Sequence, residues 1–278
     1  MTEKGYFQNG SNKLFYVCQI PSQQVKQIGF VFVHAADGNR LGPHRMFVEL
    51  ADILENLGFP TMRFDLTGCG DSTGAASQND IIPDIEDVLA AVDFFTHRAR
   101  LSSVCLFGIS RGARVCFSTI ANYQLPATGA ILLSIPAPTT RAAVKSFSAR
   151  LKEYIYKLKD TGTLRKLFTG RVNFIQIIKT LTVALALKRK YNKTSLTRFS
   201  SKCPLLFIYG QNDPVAAESK TFYQRICDPY KIPHDSVIIQ DANHSFFHYK
   251  WKEQVFEQVV NWLKMVVNQR GVPDEHSV

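Results

Sequence analysis

The chain has 278 residues, of which 45% are hydrophobic and 20% are charged, and its formal net charge is +10. No run reaches the ~18 apolar residues that span a bilayer, and no charged-then-apolar secretory signal opens the chain. The six cysteines lack C-x-x-C spacing, which favours buried thiols in a reducing compartment over a disulfide framework. We therefore expect a cytoplasmic protein with one large α/β domain that carries an insertion.

Apolar runs alternate with segments of helical periodicity along the chain. Lys13–Ile20 and Ile28–His34 are predicted to form an early strand pair. Helices are predicted over 45–57, 83–98, 111–123, 216–227 and 253–267, and further strands over 61–65, 104–109, 130–135, 204–209 and 236–240. This alternation predicts a mostly parallel sheet with helices on both faces.

Gly108-Ile109-Ser110-Arg111-Gly112 lies between a predicted strand and a predicted helix. This is the G-x-S-x-G pattern of a nucleophile elbow in the context that the pattern requires. The flanking glycines avoid collisions with neighbouring backbone, and the helix that follows directs its first N–H groups towards the serine. We expect Ser110 to be a nucleophile, the alternative being a Gly-Ser turn that only caps a helix.

A nucleophilic serine needs a base to take its proton and a carboxylate to orient that base. Asp213 and His244 follow the last two predicted strands, and reactive groups gather at the carboxyl ends of parallel strands. The order Ser, Asp, His is the one expected with this elbow. His244 is the predicted general base and Asp213 the orienting acid. Asp241 is a less suitable acid because it shares a loop with the base.

An oxyanion hole requires two N–H donors beside the nucleophile. The backbone N–H of Arg111 is the expected first donor. The second is expected from the loop after the strand that ends at His34, with Ala36 as the candidate and Ala35 as the alternative.

These segments resemble the α/β-hydrolase superfamily, most closely its serine-aminopeptidase or monoacylglycerol-lipase-like branch. The resembling residues are Val33-His34, Arg63–Asp65, Gly68–Ser72, Gly108–Gly112, Gly210–Asp213 and Asn243-His244. The stretch from Gly42–Phe47 through Gly70–Ser72 also resembles, less closely, bacterial hydrolases associated with exopolysaccharide and exosortase systems. The resemblance implies an α/β-hydrolase fold, a structural role for Asp65 and the Gly68–Ser72 loop, and a helical cap inserted in the core. His34-Ala35 stands where family members often have His-Gly, which leaves the identity of the second oxyanion donor open.

The segment 137–202 is strongly basic, with sixteen Lys and Arg against Glu153 and Asp160. It falls where the superfamily places its cap, so we assign 1–136 and 203–278 to the core and 137–202 to a basic helical cap. Apolar stripes flanked by cations suit either an ordinary cap or a helix lying on a membrane surface. The charge predicts attraction to anionic lipid, a phosphorylated or acidic substrate, or an acyl-carrier protein, whereas no nucleic-acid recognition motif is present.

The leading hypothesis is a serine hydrolase that acts on a small-molecule carboxylic ester or thioester without cofactor or metal. Acyl transfer to a sugar or alcohol, and ligand binding on a retained hydrolase scaffold, remain alternatives because this fold hosts many functions. His244 and His248 are four residues apart, but no carboxylate or cysteine cluster accompanies them, so a metal site is not expected. His44-Arg45 is expected to begin a helix, with contact to an anionic substrate group as the alternative. Peripheral attachment to the inner membrane surface is a separate hypothesis.

Overall fold

The computed structural model describes residues 1–23, 25–77, 80–138 and 203–269. These residues belong almost entirely to one compact unit, Met1–Pro136 with Arg198–Val278. The predicted cap, 137–202, lies outside the described residues except for its first two positions. Its assignment therefore stays a prediction.

The described strands form one sheet of eight, and all but two of its neighbouring pairs are parallel. The order across the sheet is β1-β2-β4-β3-β5-β6-β7-β8. The strands are β1 Thr2–Asn9, β2 Asn12–Gln19, β3 Ile28–Val33, β4 Thr61–Phe64, β5 Ser103–Ile109, β6 Ala127–Leu133, β7 Leu205–Gly210 and β8 His234–Ile239. This architecture, with helices packed on the sheet, is the predicted α/β-hydrolase fold.

Five described helices of more than ten residues accompany the strands. They are α1 Met46–Asn56, α2 Ile82–Ala99, α3 Arg111–Asn122, α4 Ala216–Cys227 and α5 Tyr249–Gln269. Short 3₁₀ turns at Pro43–Arg45 and Asp228–Tyr230 precede α1 and follow α4. Each of the five helices overlaps a predicted one, with ends displaced by up to four residues.

Both strands of the predicted early pair are present, as β2 and β3, but the prediction that they pair with each other is wrong. β2 pairs antiparallel with β1 on one side and with β4 on the other, so that β4 separates β2 from β3. Strand β1 escaped prediction because Thr2–Asn9 lies at the edge of the sheet, and of its residues only Phe7 is buried. An edge strand carries a weak hydrophobic signal because much of its surface stays in water.

Two helices cover one face of the sheet and three cover the other. Buried side chains of α1 and α5 form a single apolar cluster with alternate residues of the central strands, including Phe32 and Phe107. On the opposite face α2 and α3 pack against each other, and Tyr223 of α4 meets the rings of Phe117 and Phe207. Strands β3 and β7 are buried throughout, which explains their unbroken apolar sequences.

Candidate active site

Ser110 forms the turn between β5 and α3. Its backbone has φ 54° and ψ −119°, a conformation that a residue with a side chain rarely adopts. Two backbone hydrogen bonds hold the turn: the N–H of Ser110 donates to the Leu133 carbonyl at 2.9 Å, and the N–H of Arg114 donates to the Ser110 carbonyl at 3.2 Å. The strained backbone is thus fixed by β6 on one side and by the first turn of α3 on the other.

The two glycines of the elbow allow close backbone approach. A Cβ on Gly112 would lie 2.2 Å from the Val33 carbonyl oxygen and 2.5 Å from that of His34. A Cβ on Gly108 would lie 2.6 Å from the Gly112 carbonyl. The first turn of α3 therefore packs directly against the end of β3, which brings the loop after β3 next to the elbow.

The three side chains expected from the sequence lie in one hydrogen-bonded chain. His244 Nε2 is 3.0 Å from Ser110 Oγ. His244 Nδ1 is 2.9 Å from Asp213 Oδ2. Asp241 is exposed and forms no described hydrogen bond with the imidazole. Its backbone N–H donates to Gln211 Oε1 instead.

Backbone and side-chain contacts tie the loops that carry Asp213 and His244 to each other. The N–H of Asn212 donates to the Ala242 carbonyl at 2.8 Å, and the Asn212 side chain donates to the Asp241 carbonyl at 2.9 Å. These bonds fix the spacing between the loop after β7 and the loop after β8. They thereby hold the carboxylate and the imidazole within hydrogen-bonding distance of each other.

The carboxylate of Asp213 is fully buried, whereas the imidazole of His244 is 39% exposed. Burial by itself would raise the pKa of Asp213, but hydrogen bonds from His244 and from the Val215 N–H outweigh it, so the pKa lies below its ordinary value. Asp213 is therefore ionised at neutral pH. Because a carboxylate only accepts, His244 Nδ1 carries a proton, and in the neutral imidazole Nε2 is left as the acceptor that faces Ser110.

The expected oxyanion donors come from two adjacent loops. Arg111 opens α3 directly after the serine. Ala36 lies exposed in the turn after β3, and Ala35 is partly buried against the apolar cluster of α1 and α5. The contact of Gly112 with the end of β3 makes these two loops neighbours.

The side chain of Arg111 has a structural role that the sequence pattern does not reveal. Its Nε donates to Asp84 Oδ2 on α2 at 2.7 Å, and its guanidinium also donates to the Asp80 carbonyl at 2.6 Å. Both partners of the ion pair are largely buried, and burial raises the pKa of Asp84 despite the pairing. The pair connects the elbow to the first turn of α2.

The Asp65 loop also supports the site. Asp65 Oδ1 accepts the Arg40 N–H at 2.7 Å, Oδ2 accepts the Asp71 N–H at 3.0 Å, and the Arg40 guanidinium pairs with the same carboxylate. Ser72 donates to the Asp65 carbonyl at 2.7 Å. The carboxylate thereby joins the loop after β3 to the loop after β4.

The other histidines singled out in the sequence, His44 and His248, each lie beside an aromatic ring. The His44 ring is 6.2 Å from the Phe247 ring, and the His248 ring is 5.4 Å from that of Trp251. His44 and Arg45 have φ of 48° and 62°, so they form a left-handed turn before α1 rather than the first turn of that helix. Among the described residues, no group of three or more His, Cys, Asp and Glu side chains could hold a metal ion.

A family model described as "Serine aminopeptidase, S33" matches residues 43–248, a span that contains Ser110, Asp213 and His244. The chain belongs to this family of α/β hydrolases. It is also 26% identical over 187 residues to the lysophosphatidylserine lipase ABHD12 of rat, and 30% identical over 187 residues to that of cattle. Each alignment covers 66% of the chain but only 41% of the relative, so the chain spans about two fifths of these relatives' length.

Solved structures of α/β hydrolases share the fold. Est1E from Butyrivibrio proteoclasticus, solved with ferulic acid, superimposes with a TM-score of 0.64 at 18% identity, covering 95% of this chain and 99% of that one. An esterase from Pyrococcus furiosus gives a TM-score of 0.63 at 19% identity and covers 95% and 91%. In the part of the chain that the structure describes, no helix is both long and apolar enough to cross a membrane.

Proposed function

We propose that the chain is a serine hydrolase that cleaves a carboxylic ester or thioester through an acyl-enzyme, with Ser110, His244 and Asp213 as its catalytic triad. The hydrogen-bond chain from Asp213 through His244 to Ser110 carries this proposal. Membership of the serine aminopeptidase family and the similarity to lipases support it.

In the first half-reaction Ser110 Oγ attacks the acyl carbonyl while His244 Nε2 takes the hydroxyl proton. The buried Asp213 carboxylate stabilises the imidazolium that forms. The N–H groups of Arg111 and Ala36 donate to the oxyanion of the tetrahedral intermediate. As this intermediate collapses, the bond to the alcohol or thiol breaks and the leaving group takes the proton from Nε2.

In the second half-reaction water attacks the acyl-enzyme, and the same imidazole removes its proton. The second tetrahedral intermediate expels Ser110 Oγ, which regains its proton from His244, and the carboxylic acid departs. An alcohol or sugar in place of water would give acyl transfer by the same steps. The partly exposed imidazole is open to either acceptor.

The decisive test is the Ser110→Ala variant. It is expected to fold normally, to lose turnover of short p-nitrophenyl esters and to resist labelling by a fluorophosphonate, because the attacking oxygen is gone. Ser102→Ala, which alters an exposed hydroxyl before β5, is the matched control and should behave as wild type. Undiminished labelling of Ser110→Ala would remove Ser110 from the mechanism.

For the substrate, we propose a lipid ester with an anionic head group. The relatives named as lysophosphatidylserine lipases motivate this choice. The exposed Arg45 in the turn before α1 and the sixteen cations of 137–202 offer complementary charge. A series of lysophospholipids that differ only in head-group charge tests this choice of substrate. Equal kcat/KM for neutral and anionic members would contradict it. Matched thioesters and candidate acyl acceptors, assayed in parallel, test which bond is cleaved and which acceptor takes the acyl group.

We further propose that the basic segment 137–202 attracts anionic surfaces such as lipid, or an acidic acyl-carrier protein. Its excess of Lys and Arg supports this proposal. Flotation with vesicles of anionic or neutral lipid should show binding to the anionic vesicles alone, and added salt should weaken it. Absence of salt-sensitive binding would overturn the attachment without touching the proposed chemistry.

A further inference from the structure

His34, at the end of β3, is a buried histidine that takes no direct part in the proposed chemistry. Only 1% of the surface of His34 is exposed to solvent. The N–H of Leu66 lies 3.0 Å from Nε2, and the Ala35 carbonyl oxygen lies 2.7 Å from Nδ1. A backbone N–H can only donate, so Nε2 accepts; a carbonyl can only accept, so Nδ1 carries the proton and donates it. The two contacts together fix one tautomer of the ring.

The surroundings keep this ring neutral. Burial lowers the pKa of His34, and this effect outweighs the hydrogen bond to the Ala35 carbonyl and the charge of Asp65, which both act in the opposite direction. The imidazole therefore retains its single proton on Nδ1 at neutral pH. The ring serves as a fixed hydrogen-bond donor towards Ala35.

The Ala35 carbonyl has a second donor. The N–H of Gly38 donates to it at 3.1 Å. This carbonyl belongs to the same rigid, planar peptide unit as the N–H of Ala36, and in a trans peptide the two groups point in opposite directions. Two donors that hold the carbonyl therefore also fix the direction of the Ala36 N–H.

The peptide unit of Ala35 and Ala36 lies close to the elbow. The backbone of Gly112 packs against the carbonyls of Val33 and His34, so the start of α3 and the start of this loop are in contact. Ser110 immediately precedes α3. The loop that carries the Ala36 N–H therefore starts beside the elbow.

We propose that His34 is a positioning residue for the oxyanion hole: its Nδ1–H holds the Ala35 carbonyl and thereby aims the Ala36 N–H at the reacting carbonyl. The inference rests on the proposed hydrolase function and deepens it. The His34 ring then has two roles. It binds the loop after β4 through the Leu66 N–H, and it orients the Ala36 N–H through the Ala35 carbonyl.

Two substitutions of His34 separate these tasks. The amide nitrogen of asparagine reaches the position of Nδ1, so His34→Asn retains a donor for Ala35 and loses the acceptor for Leu66. The amide oxygen of glutamine reaches the position of Nε2, so His34→Gln retains the acceptor for Leu66 and loses the donor for Ala35. Positioning through Ala35 predicts a defect in His34→Gln and little defect in His34→Asn.

The readout compares an ester with its thiono analogue, in which the attacked carbonyl oxygen is sulfur. A hole built from N–H donors stabilises an oxyanion better than a thiolate, so wild type should prefer the oxygen ester. His34→Gln should lose kcat on the oxygen ester by on the order of 10- to 100-fold, with KM nearly unchanged and the preference for oxygen reduced. A purely structural defect lowers the active fraction for both esters alike and leaves their ratio unchanged.

Gly38→Ala provides an independent route to the same peptide unit. Its new Cβ would lie 3.0 Å from the Ala35 carbonyl oxygen and 3.3 Å from His34 Nδ1, so it should crowd the hydrogen bond between these two groups while both remain present. The same fall in kcat and in oxygen preference is expected. This variant decides the question if His34→Gln fails to fold in a thermal unfolding control.

The outcomes distinguish the inference from the function on which it rests. If wild type neither turns over esters nor reacts with a fluorophosphonate, the proposed function fails. If wild type is active and both His34→Gln and Gly38→Ala keep its kcat and its oxygen preference, the positioning role is overturned while the function stands. If His34→Asn is as impaired in oxygen preference as His34→Gln, the contact with Leu66 matters instead, and the inference is equally overturned.

Discussion

Replacing Asp213 with asparagine tests the electrostatic half of the proposed triad. In the variant, the amide oxygen can keep the hydrogen bond from the Val215 N–H, which reaches Asp213 Oδ1 at 3.1 Å. The amide nitrogen then takes the place of Oδ2, 2.9 Å from His244 Nδ1. Because that nitrogen only donates, Nδ1 must accept, and the imidazole proton moves to Nε2.

The consequence is an imidazole in the wrong tautomer. Nε2 lies 3.0 Å from Ser110 Oγ and, once protonated, cannot accept the hydroxyl proton. We expect kcat/KM for a p-nitrophenyl ester to fall about 10⁴-fold, the scale of such a tautomer change in a serine triad. That corresponds to about 5 kcal/mol of transition-state stabilisation.

The assay pairs steady-state kinetics with thermal unfolding. Asp241→Asn is the matched control, since Asp241 is exposed in the His244 loop and should leave kcat/KM unchanged. A folded Asp213→Asn variant within tenfold of wild type would refute the tautomer argument.

The lowered pKa of Asp213 predicts a second difference between wild type and variant, in the pH dependence of their stability. Its ionised form stabilises the fold above the unfolded-state pKa, and this contribution is lost as pH falls through the lowered folded value, so wild type and variant should converge in acid.

Three further substitutions probe the supports of the site. Gly112→Ala should lower the free energy of unfolding by about 3 kcal/mol, because its Cβ meets backbone; an unchanged urea midpoint would contradict this. Arg111→Met should lower the free energy of unfolding by about 3 kcal/mol at neutral pH, because it leaves Asp84 buried without this partner. This loss of stability should grow with rising pH as Asp84 ionises, and a pH-independent loss in urea titrations would count against the argument. Lys252→Met removes two 2.6 Å bonds to a carboxylate on α1 and should cost about 1–2 kcal/mol in thermal unfolding, whereas exposed Lys250→Met should cost nothing.

The sequence predicted those parts of the site in which a residue type and a local context coincide. A serine between two glycines, with an apolar run before it and helical periodicity after it, specified the elbow. Topology then restricted the partners, because carboxyl ends of parallel strands share one edge and only a few titratable residues follow the later strands. His244 and Asp213 lie within hydrogen-bond distance of their expected neighbours for this reason.

The parts that escaped prediction depend on contacts between distant residues. Strand β1 is an edge strand with one buried side chain, so its periodicity is weak, and the antiparallel pairing of β2 with β4 has no local signal. The ion pair between Arg111 and Asp84 spans 27 positions. His34 belongs to a dipeptide that resembles the family's His-Gly. The two hydrogen bonds of its ring could not be predicted, because their partners are backbone atoms, which every residue has whatever its side chain.

The nucleophile, the base and the oxyanion loop are held by different hydrogen bonds. The elbow is held by β6, by the close approach of Gly112 to β3 and by the Arg111 side chain. The base and its acid are held by bonds between their own two loops through Asn212. The loop after β3 is held by His34 and Gly38. Because these hydrogen bonds are different, a substitution that removes one set should act first on a single part of the reaction. Substitutions of Gly112 and His34, whose backbones are in contact, should not be additive.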